Sequence, residues 1–134
     1  MLSSRHRRCD AGTLSAMIIE IRTYRLRPGS VEAFVEVMRD SALPLLEDFE
    51  IDVLSLGASL DPTDTEQPDA YLIRAFADLA AREVAEERFY GSAAWREGPR
   101  EAVLAPIVDY HTVVLEATAG AAEALRSGTR RPGS

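Results

Sequence analysis

The sequence predicts an α+β domain in which a four-stranded antiparallel sheet carries its helices on one face. Three observations lead there. The hydrophobic period switches along the chain in the order β-α-β-β-α-β, turn-forming residues separate the segments, and 134 residues suit one such unit. Split β-α-β units with right-handed crossovers give that sheet.

Met17 to Leu26 (MIIEIRTYRL) is rich in β-branched residues and reads as the first strand. Its alternation puts Ile19, Ile21 and Thr23 on one face and Glu20, Arg22 and Tyr24 on the other. Pro28-Gly29-Ser30 ends it, with Ser30 placed to cap a helix. Val31, Phe34, Val35, Met38, Ala42, Leu45, Leu46 and Phe49 recur at helical spacing, so 31–49 is an amphipathic helix that Pro44 kinks or divides. Asp52 to Leu60 and Ala70 to Phe76 are the next strands. In the former, Leu54 and Leu56 are expected on one face, and Ile51 and Val53 on the other.

The loop between these strands carries Asp61, Asp64, Glu66 and Asp69. It lacks the glycine and alternating ligands of a calcium loop, so it reads as a solvated connection. Asp78 is positioned to cap a helix over Leu79 to Phe89, while Ser92 and Pro99 start shorter helical pieces. Tyr110 to Ala117 is the fourth strand. The folded unit is expected over 17–117, preceded by a disordered extension (1–16) and followed by a flexible tail (118–134) in which Ala119 to Leu125 can form a helical turn or two.

Two-sided apolar strands leave one sheet face needing cover, which predicts a homodimer in which two sheets meet. The balance of charge, 22 acidic residues against 15 basic, gives a net −7, with both ends basic and the middle strongly acidic. That disfavours nucleic acid and anionic membranes as partners. No apolar run approaches the ~20 residues of a membrane helix, and no secretory h-region is present, so a cytoplasmic protein is expected. All the basic residues are arginine, which excludes lysine Schiff-base chemistry and a P-loop lysine. One cysteine (Cys9) and two histidines (His6, His111) leave no metal site to predict.

Further residues carry a family likeness. Phe89-Tyr90, Ser92, Trp95-Arg96, Pro99-Arg100, Val103-Leu104 and the closing Tyr110-His111-Thr112-Val113-Val114-Leu115 resemble the NIPSNAP family. Glu20-Ile21-Arg22-Thr23-Tyr24 with Pro28-Gly29, and Phe76-Ala77-Asp78 with Arg82, look like the start of that domain and of its second helix. The resemblance implies a ferredoxin-like domain paired into a dimeric α+β barrel. The wider superfamily includes cofactor-free monooxygenases, isomerases, polyketide cyclases and haem enzymes, many with a pocket between sheet and helices.

Two functions are therefore expected. One is binding of a small aromatic or polyketide-like molecule, with cofactor-free oxygenation, cyclisation or isomerisation. The other is a dimerisation or ligand-binding module without turnover. For the first, His111 is the candidate proton shuttle, against a structural histidine or a haem ligand. Arg22 and Arg74, in mid-strand on the face of Glu20, are candidate stabilisers of a carboxylate, enolate or phenolate, against a salt-bridge lattice across the dimer interface or simple snorkelling of their stems. Trp95, Tyr90, Phe89 and Phe76 are a candidate aromatic wall, and Tyr24 and Tyr71 candidate hydroxyl donors, against simple core packing.

Overall fold

The computed structural model describes residues 16–60 and 67–126. Strands β1 (Ala16–Leu26), β2 (Asp52–Ala58), β3 (Ala70–Phe76) and β4 (Ile107–Thr118) form one sheet in the order β2-β3-β1-β4, all pairs antiparallel. Helices and strands alternate as the sequence predicts. The disorder expected of 1–16, the loop residues Asp61, Asp64 and Glu66, and the tail beyond 126 lie outside the described residues, except for Ala16, which opens β1.

The first helical run is divided at Pro44. Segment α1 (Val31–Val37) passes through a π turn at Met38–Ala42 into α2 (Leu43–Asp48). Proline has no N–H for the carbonyl four residues back, and its ring crowds that carbonyl; a wider turn relieves both. Ser30 does not cap this run. Its hydroxyl donates to the Arg27 carbonyl at 2.6 Å, closing the turn around Gly29, whose φ of 81° favours glycine. At the far end Glu50 holds φ 62°, reversing the chain into β2.

The later caps stand where the sequence puts them. Asp78 accepts from Ala81 N at 2.7 Å and starts α3 (Leu79–Tyr90), and Ser92 accepts from Trp95 N at 3.1 Å and starts α4 (Ala93–Glu97). Then come α5 (Arg100–Leu104) and β4. Strand β4 begins at Ile107, earlier than Tyr110, because Ile107 and Asp109 pair with Leu26 and Arg25 across a register shift in β1.

One difference from the sequence reading concerns the second sheet face. A register shift between Val53 and Ser55 separates Leu54 from Leu56. Leu54 packs with Ile19 and Ala75 on the face away from the helices, and Leu56 joins Ile51 under them. Simple alternation cannot foresee a residue inserted in the ladder. Past β4, the segment 119–124 takes up the helical turns that its sequence allowed. It forms α6 (Ala119–Ala124), capped by Thr118, with Ala122 packed on Ile19, Leu54 and Ala75. Arg126 then clamps Asp52 with two hydrogen bonds of 2.9 and 3.0 Å. Helix α6 covers one end of the face; at the other, Val113 and Leu115 remain 50% and 47% exposed.

The larger core lies between sheet and helices, around Tyr24, Phe34, Leu46, Leu72, Phe89 and Trp95. No helix among the described residues is long and apolar enough to cross a membrane.

Candidate functional site

Glu20 and Arg74 sit opposite each other in the β1–β3 ladder, on the face that α3 covers. Both are fully buried. Arg74 Nε and Nη2 donate to Glu20 Oε1 at 2.8 and 2.5 Å, Nη2 also donates to Glu86 Oε2 at 2.8 Å, and Nη1 donates to the Tyr90 hydroxyl at 3.0 Å. Arg82 Nε donates to Glu20 Oε2 at 2.8 Å. Helical spacing aligns Arg82, Glu86 and Tyr90 over the strand pair.

The electrostatics arise from this packing. Burial opposes a charge on Glu20, but Glu86, Arg74 and Arg22 outweigh it and hold its carboxyl down at about 2. Burial, with the neighbouring Glu20 adding to it, pushes Glu86 up to about 7. Burial works against the Arg74 charge, yet Tyr90, Glu20 and Glu86 leave its pKa raised.

Arg22 is the member without a hydrogen bond. Its Nε is buried and meets no hydrogen-bond partner among the described residues. The nearest anions are at looser ion-pair distance, 3.5 Å to Glu20 Oε1 and 3.6 Å from Nη2 to Glu86 Oε1. Its guanidinium lies 5.6 Å from the ring centres of both Tyr90 and Tyr110. The cluster thus brings three guanidinium groups (Arg22, Arg74, Arg82) to two carboxylates (Glu20, Glu86), and the excess cation is the one at the edge.

That edge borders a cavity of about 690 Å³, open on one side, between the sheet and the helical layer. Met38, Ala42 and Leu46 form one wall, so the π turn faces the space; Leu72, Phe89 and Val103 extend the apolar lining. Polar groups enter from Arg22, Tyr24, Tyr90, Tyr110, Arg100 and Asp109. Burial pushes the Tyr24 hydroxyl up to about 12, so it stays protonated and able to donate.

Of the residues singled out in the sequence, Arg22, Tyr24, Phe89, Tyr90 and Trp95 line this cavity together. Arg74 lies behind it, wholly engaged in the charged cluster. Phe76 is core, with its ring 5.8 Å from the Arg74 guanidinium. Tyr71 and His111 pair with Thr23 from either side, on the opposite face of the sheet. Tyr71 bonds Ser55 Oγ at 2.9 Å. The His111 side chain is 79% exposed, with Nε2 3.7 Å from Asp109 Oδ2, and it does not line the cavity. Sequence reasoning gave no role at the site to Arg82, Glu86, Tyr110 or Arg100, though all but Glu86 entered the family likeness. The first two carried a signal, an opposite-charge pair four apart in line with Tyr90.

Against known proteins, the NIPSNAP family profile matches residues 19–119. The chain belongs to the NIPSNAP family. Among solved structures, this NIPSNAP chain is similar to a NIPSNAP family protein of unknown function from Agrobacterium tumefaciens, with 21% identity over 76% of this chain and 88% of that one, and a TM-score of 0.66. It is also similar to an uncharacterised NIPSNAP domain protein from Burkholderia xenovorans (19% identity, 73% and 91% covered, TM-score 0.64). A dimeric ferredoxin-like protein of unknown function from Thermobifida fusca aligns at 17% identity over 75% and 91%, with a TM-score of 0.52. At such identities the likeness establishes the ferredoxin-like fold and nothing finer. No curated protein matches the chain.

Proposed function

We propose that this NIPSNAP protein is a homodimer that binds a small organic anion with an aromatic or polyketide-like body, its carboxylate, enolate or phenolate received by Arg22. One observation carries the reading: a guanidinium 5.6 Å from the ring centres of two tyrosines, held by ion pairs of 3.5 and 3.6 Å and without a side-chain hydrogen bond to another described residue, on the wall of a largely apolar cavity. Such a group has donors to spare for a planar anion. The neighbouring Tyr24 and Tyr110 add hydroxyl donors. If the protein is an enzyme, oxygenation, cyclisation and isomerisation without a cofactor are the reactions this arrangement serves, since each passes through an enolate-like anion that preset donors stabilise.

Trp95 is the chain's one tryptophan and lines the cavity, so its fluorescence reports occupancy. Naphthoate is expected to shift that emission saturably and to bind roughly ten- to a hundredfold more tightly than naphthamide, the range of a hydrogen bond to a charged group. Arg22→Gln should erase the difference. Equal affinity for acid and amide in the parent protein overturns the reading.

A second reading, binding without turnover, is favoured by the composition of the wall. Among the described residues that line the cavity, Asp109 is the one carboxylate, and it is exposed and close to His111. A base held out of water near neutral pH is not among them.

The homodimer rests on the open sheet face. Ile21, Ile73, Val113 and Leu115 lie beyond the cover of α6 and form an apolar strip of the kind that pairs with a second copy. Sedimentation at micromolar concentration should show two-chain particles, and Val113→Glu should shift them to single folded chains. A parent protein that sediments as one chain removes this part of the proposal.

A further inference from the structure

The cavity has a second cationic group, and its position bears on the class of ligand. Arg27 and Arg96 donate to backbone carbonyls, as does Arg39. Arg74, Arg82 and Arg126 donate to carboxylates, and Arg88 lies over the Phe49 ring at 5.5 Å. Arg22 and Arg100 differ from these. Both line the cavity, and neither hydrogen-bonds to another described residue.

Arg100 is exposed and opens α5, the end of a helix where the backbone dipoles disfavour a cation. Its charge therefore does nothing for its own helix. No ion pair joins it to the cavity's carboxylate, Asp109, which accepts from Tyr110 N at 2.9 Å. Two guanidinium groups without side-chain hydrogen bonds to described residues, Arg22 from the sheet and Arg100 from the helical layer, border one cavity in a protein with net charge −7 and make a local positive field in an otherwise negative molecule. Apolar side chains, Trp95 and Val103 among them, complete the lining beside these two cations.

We infer that Arg100 is a second anchor, specificity-determining rather than catalytic, and that the ligand carries two acidic groups on one apolar body, one for Arg22 and one for Arg100. This rests on the anion-binding reading of Arg22 and narrows it to diacids: aryl or enolic acids with a second carboxylate, phenolate or phosphate. A neutral or singly charged aromatic molecule would leave Arg100 in water and forgo its contribution.

The test uses Trp95 fluorescence with arene dicarboxylates of increasing carboxylate separation, each compared with its own monomethyl ester, and with naphthoate as the single-anion reference. At least one diacid should bind roughly tenfold more tightly than its half-ester, the yield of one charge-assisted contact near a surface. Arg100→Gln should remove that preference while naphthoate still outbinds naphthamide. Because the side chain is exposed, the variant should keep the parent's circular dichroism and melting temperature. If no diacid outbinds its half-ester while naphthoate still outbinds naphthamide, the second anchor is refuted and the Arg22 site stands. If Arg100→Gln leaves the diacid preference intact, Arg100 is not its source. Loss of the preference for naphthoate over naphthamide overturns the anion site and this inference together.

Discussion

Glu20→Ala should lower the stability of this protein by about 3–5 kcal/mol, the usual result of removing one member of a buried ion pair. The carboxylate accepts from Arg74 and from Arg82, and both Glu20 and Arg74 are shut off from water. Without it, the Arg74 guanidinium keeps its charge in a space closed to solvent, with Glu86 as its remaining anion. That loss is a large share of a small domain's margin, so the variant should melt far below its parent and be partly unfolded at room temperature. Urea unfolding of both proteins measures it. A loss below about 1 kcal/mol would show that the pair is solvated in solution and that the cluster is not a buried one. The companion variant Glu20→Met with Arg74→Met removes both charges and replaces them with apolar volume, and should recover most of the stability. Such recovery would mean that the cluster owes its place to something other than stability, for which holding Arg22 uncommitted at the cavity edge is the role suggested by the geometry.

The topology was legible because each segment announces its period. β1 alternates, and Asp78 and Ser92 cap where they stand. The face shared by Glu20, Arg22 and Tyr24 was legible for the same reason, as was the neighbouring of the first and third strands that puts Arg74 on it, but not that Arg74 commits its charge to Glu20 within the same chain. What escaped were features that depend on one inserted residue or on tertiary cover. The bulge in β2 sent Leu54 and Leu56 to different faces, and β4 started before Tyr110 because Ile107 found a partner in Leu26. His111 shows the limit most clearly. Its strand was read correctly, but which face meets the cavity depends on where α3 and α5 dock, information spread over the whole chain. Glu86 escaped for a related reason: on a helix so rich in charge, a glutamate reads as solvent-facing until the arginines beneath it are known.

Glu86 also makes stability depend on pH in a direction opposite to that of most carboxylates. Around it stand Glu20 and Arg22 from β1, Arg74 from β3, and Arg82 and Tyr90 from its own helix. Its folded pKa of about 7 lies above the ordinary 4.5, so between those values the folded protein keeps a proton that the unfolded chain has released. Stability therefore falls as pH rises in that interval, and the contribution, complete below 4.5, is lost as pH passes through about 7. With the side chain 17% exposed and so partly screened, the fall between pH 5 and 8 should be about 2 kcal/mol. Glu20 acts with the other sign. Held at about 2 against an ordinary 4.5, it contributes fully above 4.5, and that contribution fades as pH drops toward 2. Stability should thus peak near pH 5. Glu86→Gln provides the decisive comparison, because an amide keeps an oxygen for Arg74 and donors for Glu20 at every pH. Urea unfolding at pH 5, 6, 7 and 8 should give a falling series for the parent and a nearly level one for the variant, with the two closest at pH 5. A parent series already level across that range would mean that Glu86 ionises like an exposed carboxylate, and an unchanged slope in the variant would assign the proton to another group.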